Sequence, residues 1–182
     1  MYNEIFKDFK LESAVSPELI AKYEGVLPED IVAIWKEYGF GTFWGGYLKM
    51  INPEEYVEIL NDSYYAADKA VPMMMTAFGD LIVWEDEEYM MMIAYKNGDI
   101  ECLSSRIHIF WRNMLNKSFL DKFFEFEQYN KAVSKLGELA FDECFGYTPL
   151  LGLGGKKKVE NLEKVNAKVH IELITQMLGR IE

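Results

Sequence analysis

Two histidines, two cysteines and several short runs of carboxylates are the residues from which any chemistry in this chain would have to be built. A serine or cysteine nucleophile usually needs a histidine to take its proton. His108 lies inside the apolar run 107–111 and His170 sits between Val169 and Ile171, so both read as packed or partly exposed side chains without a ligand role. Neither stands in an H-E-x-x-H spacing, and Cys102 and Cys144 form no C-x-x-C pair, so no zinc site and no cofactor are expected. The stretch Gly152-Leu153-Gly154-Gly155-Lys156-Lys157-Lys158 invites a phosphate-binding reading and fails it. A P-loop needs glycine where Leu150 stands and Ser or Thr where Lys157 stands, and Lys157 also breaks the dinucleotide pattern. An exposed turn with a solvated basic cluster is the expectation there.

The carboxylates divide into three cases. Glu54, Glu55 and Glu58 have paired-acid spacing, but a solvated helix face beside an N-terminus accounts for them. Asp80 and Glu101 would be needed by a small metal-assisted enzyme, and no ligand spacing supports that reading. Glu85-Asp86-Glu87-Glu88 is different, because four consecutive acids join one run ending in Trp84 to another beginning at Tyr89. Crowded carboxylates repel one another, so the alternatives are a solvated turn or a site for a basic partner. Two methionine triplets, 73–75 and 90–92, complete the set; the inward ones fill a core, and an outward one would be an adaptable contact surface.

Composition narrows the function classes. The chain has 182 residues, half of them hydrophobic and 15% aromatic, enough for one core or two small units sharing an interface. A net charge of −11 opposes binding to nucleic acid, whose affinity draws on Lys and Arg displacing counterions. The acid excess is local: residues 1–103 carry 20 Asp and Glu against 7 Lys and Arg, and residues 104–182 carry 10 against 12. No apolar run reaches eighteen residues, and Glu4, Lys7 and Asp8 interrupt the first ten. Neither membrane insertion nor secretory export is expected, both cysteines are expected as buried thiols, and the cytoplasm is the expected compartment.

The elements that must position these residues follow from caps and periodicity. Ser16-Pro17-Glu18 opens a helix that Gly25 can end, and Pro28-Glu29-Asp30 opens a second with Ile31, Ile34, Trp35 and Tyr38 on one face and a stop at Gly39. Residues 41–51 read as a turn and a strand, and Asn52-Pro53 caps a third helix ending near Leu60. Four β-type runs follow, 73–78, 81–84, 89–95 and 99–103, the last pair joined by Asn97-Gly98, the strongest hairpin signal in the chain. Helices are expected over 107–115, 118–126 and 128–141. A last amphipathic helix or broken pair is expected over 159–177, with Leu162, Val165, Val169, Leu173 and Met177 at steps of three and four. The expected class is α+β: N-terminal helices with an antiparallel meander over 1–104, and a mainly helical part over 105–182 packed on it.

These segments resemble a known pair of bacterial modules. Leu27-Pro28-Glu29-Asp30-Ile31, Trp35-Lys36-Glu37-Tyr38-Gly39-Phe40-Gly41, Tyr47-Leu48, Asn52-Pro53-Glu54-Glu55-Tyr56 and the 78–84 run are similar to GAD-like domains. Phe145-Gly146-Tyr147, Pro149-Leu150, Leu153-Gly154-Gly155 and Val159-Glu160-Asn161-Leu162 resemble the C-terminal domain of type VI secretion immunity proteins. The resemblance implies a non-enzymatic protein that neutralises a co-produced toxin, in the best-known cases a DNase, by direct binding in the cytoplasm. It transfers no catalytic residue. A basic nuclease site would suit an acidic partner, which makes Glu85, Asp86, Glu87 and Glu88 the candidate contact residues. The other reading is a regulatory adaptor that binds a cellular protein with no toxin involved.

Overall fold

A computed structural model describes residues 1–182. The chain opens with α1 (Tyr2–Ile5) and the edge strand β1 (Lys10–Ser13), followed by α2 (Pro17–Tyr23), where the Ser16 hydroxyl accepts the Leu19 amide at 3.2 Å as the cap sequence requires. α3 (Glu29–Tyr38) buries Ile31, Val32, Ile34 and Trp35 and stops at Gly39. Gly39 has φ +81°, and a Cβ there would stand 2.6 Å from the Ser13 carbonyl oxygen, so the turn into the sheet admits no side chain.

The sheet is built in chain order from β1 and β2 (Phe40–Phe43), β3 (Leu48–Met50), β4 (Ala70–Thr76), β5 (Leu81–Glu85), β6 (Tyr89–Ala94) and β7 (Asp99–Ser104). Each strand lies antiparallel to its sequence neighbour. Between β3 and β4 the chain makes a 3-10 turn at Pro53–Glu55 and the helix α4 (Val57–Ser63). Beyond the sheet come α5 (Ile107–Asn113), α6 (Lys117–Phe123) and α7 (Phe126–Leu136). A hairpin of β8 (Glu143–Tyr147) and β9 (Leu162–Asn166) follows, then α8 (Ala167–Leu178).

Alternation along β5 explains how the layers stack. Ile82 and Trp84 face a core of 31 buried residues shared with α3, α5 and α7, while Leu81 and Val83 face a second core of 18 shared with α4 and α8. Both faces are therefore dry, which is why these strands read as unbroken apolar runs instead of alternating ones. The part after residue 104 supplies cover to both faces, Phe110, Trp111 and Tyr129 on one and Ile171 and Ile174 on the other.

Several expectations are corrected by this stacking. Within the mainly helical part after residue 104, residues 143–147 and 162–166 pair as strands, so the helix expected over 159–177 begins at Ala167, and Leu162 and Val165 belong to β9. α8 buries Ala167, His170, Ile171 and Ile174, and the stripe Val169, Leu173, Met177 faces outward. Of the two readings of the methionine triplets, the structure takes core filling: five of the six are buried and Met91 is half-buried, with Met75 and Met91 on the face that α4 and α8 cover. Cys144 is a buried thiol as expected, but Cys102 on β7 is exposed.

Candidate functional site

The acidic turn joins β5 to β6 as a tight hairpin. Asp86 and Glu87 both take positive φ, +50° and +56°, and the Glu88 amide donates to the Glu85 carbonyl at 3.0 Å. Such a turn normally uses Asn-Gly, since an L side chain in the left-handed region costs about 1–2 kcal/mol. Glu87→Gly is accordingly expected to raise stability by about 1 kcal/mol, after allowing for the freer unfolded chain, and to raise Tm by roughly 2–4 °C in a thermal melt. An unchanged or lower Tm would show that the Glu87 side chain makes a stabilising contact that outweighs the strain.

The four acids do not act alike. Glu85 is buried, and its carboxylate accepts the Tyr64 hydroxyl at 2.6 Å; burial first and then Glu85 push the tyrosine pKa well above its ordinary value. Asp86 lies 3.4 Å from Lys69, an exposed pair worth little in stability, and its amide donates to the Lys69 carbonyl. Glu87 and Glu88 are exposed, and Glu88 stands beside the Tyr89 hydroxyl. The turn therefore offers Asp86, Glu87 and Glu88 outward, beside a cleft of ≈ 410 Å³ whose apolar side is Val26, Val71 and Trp84. Charge sets out the acids in the sequence; the inward turn of Glu85 depends on Tyr64, twenty-one residues away, which no local signal marks.

The residues considered for catalysis are dispersed. Asp80 is held between Lys96 and the Thr76 hydroxyl, and Glu101 lies half-buried on β7. No group of three or more His, Cys, Asp or Glu side chains has a metal-binding arrangement. His108 is exposed, and His170 is packed against Gly146, its pKa lowered by burial. Burial raises the Cys144 thiol to about 12, which disfavours the thiolate a nucleophile requires. Lys156, Lys157 and Lys158 are exposed, and Lys157 pairs with Glu125 at 2.8 Å. No helix is long and apolar enough to cross a membrane.

A family model described as GAD-like domain matches residues 1–97, and one described as T6SS immunity protein Tdi1, C-terminal, matches residues 104–178. The crystal structure of Atu4351 from Agrobacterium tumefaciens has the same fold, with a TM-score of 0.74 at 22% identity over 97% of this chain and 89% of that one. No curated protein matches the chain.

Proposed function

The chain belongs to the GAD-like domain family, and from that membership we propose that it binds and neutralises a cognate secreted toxin, a nuclease effector of a type VI system, in the cytoplasm of the cell that makes both. The match of residues 104–178 to the C-terminal region of the T6SS immunity protein Tdi1 indicates a type VI immunity protein and supports action by binding instead of catalysis. The observation that carries the reading to a site is the hairpin tip that projects Asp86, Glu87 and Glu88 from the half holding the whole acid excess. A nuclease cleft receives phosphates and is basic, so carboxylates can steer toward it and occupy it.

Two experiments test this. Co-purification with the product of the adjacent upstream gene, at low and high salt, is expected to return a complex that weakens as salt rises. The variant Asp86→Asn, Glu87→Gln, Glu88→Gln is expected to lose roughly tenfold or more in affinity and part of the salt dependence, chiefly through slower association. Glu85 is left in place because Tyr64 depends on it. Unchanged affinity and salt slope would remove the turn from the interface, and no complex at either salt would remove the immunity reading itself.

A further inference from the structure

The outer surface of α4 and α8 carries an exposed apolar stripe beside a group of acids. On α8, Val169, Leu173 and Met177 stand at successive four-residue steps and are 61%, 44% and 54% exposed, while the opposite face of the helix is buried. Scattered apolar residues on a surface are ordinary, but three in one stripe on a twelve-residue helix form a contiguous patch. Beside the stripe, α4 and α8 enclose a cleft of ≈ 230 Å³ lined by Glu58, Asp62, Glu172, Thr175 and Gln176, with Ile59 at its floor. None of these three carboxylates has a cation within ion-pair distance. Their neighbours do, since Glu54 is paired by Lys22 at 2.7 Å and Glu55 by Lys168 at 2.8 Å. α4 contains no Lys or Arg, and Lys168, the only Lys or Arg of α8, is already committed to Glu55. Acids and apolar stripe therefore lie side by side on one helix pair, and the charges lack their complement.

We propose that this face is a docking surface for a cationic amphipathic segment of the toxin, whose apolar side seats on Val169, Leu173 and Met177 and whose Lys or Arg side chains enter the cleft toward Glu58, Asp62 and Glu172. The proposal rests on the immunity reading and deepens it by adding a second contact region. Charge complementarity selects the occupant, because an anionic lipid surface would bring like charge to the cleft and a second copy of this chain carries a net charge of −11. The face is continuous in the chain with the acidic turn, since Tyr64, at the end of α4, is the residue that holds Glu85. A partner seated here would bury the apolar stripe with the acids of the cleft at its polar rim.

The test uses the full chain with the upstream gene product. Mild peroxide oxidation of the free protein and of the complex, read by mass spectrometry, reports Met177 directly, and the exposed Met1 serves as the reference. Protection of Met177 in the complex is expected. So is a loss of roughly tenfold or more in affinity for Leu173→Ser with Met177→Ser, and a comparable loss that shrinks at high salt for Glu58→Gln, Asp62→Asn, Glu172→Gln. All these side chains are exposed, and unchanged thermal melts confirm that the variants fold. A complex that leaves Met177 as reactive as in the free chain, with both variants binding normally, overturns this proposal and leaves the immunity reading standing. Protection of Met177 by self-association of the isolated chain overturns it in favour of a homodimer, and failure of the wild-type chain to bind the toxin overturns both.

Discussion

Replacing Lys96 with Met is expected to cost about 3–5 kcal/mol of folding stability, because the substitution strips a buried carboxylate of its counter-charge. Asp80 and Lys96 have only 1% and 7% of their side chains exposed. The lysine donates to one oxygen of Asp80, the Thr76 hydroxyl donates to the same oxygen at 3.2 Å, and the other oxygen has no partner. Glu125, at the start of α7, lies 3.7 Å from the same ammonium. Burial raises the Asp80 pKa, and the two carboxylates together hold Lys96 above its ordinary value in spite of burial. With methionine at 96, Asp80 would have no cation beside it and would face Glu125, which keeps only its partly exposed pair with Lys157 at 2.8 Å, so the single variant removes the attraction on the buried carboxylate. Lys96→Met combined with Asp80→Asn is expected to recover most of the loss, since no buried charge is then left unpaired. Urea unfolding of the four members of this cycle measures the coupling. A single variant within about 1 kcal/mol of wild type, or a double variant no better than the single, would show that the pair is hydrated and carries little.

Lys49→Ala is expected to cost about 4 kcal/mol and Lys49→Met about 2 kcal/mol, the difference reporting the volume of the stem and the remainder the carbonyls left behind. Lys49 lies on β3 in the first half of the chain, fully buried, and its ammonium donates to the carbonyls of Ala140 and Phe141 at 2.9 Å each and to that of Glu143. These three carbonyls belong to the segment that leads from α7 into β8, so the side chain fastens the second half to the sheet of the first. Burial pushes the pKa down to about 8 from 10.5, and the three acceptors favour the charged form at neutral pH. The folded state gives up this proton more readily than the unfolded one, so Lys49 makes stability rise with pH from about 8 toward 10.5. Lys49→Met should lack that rise. Denaturant unfolding at pH 7 and 9.5, with proteolysis between residues 137 and 143 as a reporter of local release, checks both parts. Equal melts for wild type and both variants would mean that these carbonyls find other partners at no cost.

Much of the architecture was legible because its signals are local. The Ser16 cap, the stop at Gly39 and the turns at residues 85–88 and 97–98 each depend on a few adjacent residues, and the meander follows from short apolar runs separated by such turns. The acidic turn was legible as charge, and its exposure at Asp86, Glu87 and Glu88 follows from hairpin geometry. Glu85 was not separable from its neighbours, because only Tyr64, at the end of α4 and distant in sequence, distinguishes it. The groove acids Glu58 and Glu172 were equally opaque, being 114 positions apart until α4 and α8 pack side by side.

α8 marks the boundary between the two kinds of information. Its sequence is apolar on two sides, with Val169, Leu173 and Met177 on one and His170, Ile171 and Ile174 on the other, and periodicity ranks the first stripe as readily as the second. The sequence by itself determined that this segment ends in an amphipathic helix, that the first half carries the acid excess, that the middle of the chain is an antiparallel meander, and that the modules resemble an immunity family. Tertiary structure alone decided which stripe is buried, that residues 143–147 and 162–166 pair as strands, and that Lys49 and Lys96 are buried cations tied to the second half. The physical reason is the same in each case. Caps, turns and net charge are properties of neighbouring residues, whereas burial and pairing are relations between surfaces that meet only once the second half has covered both faces of the sheet.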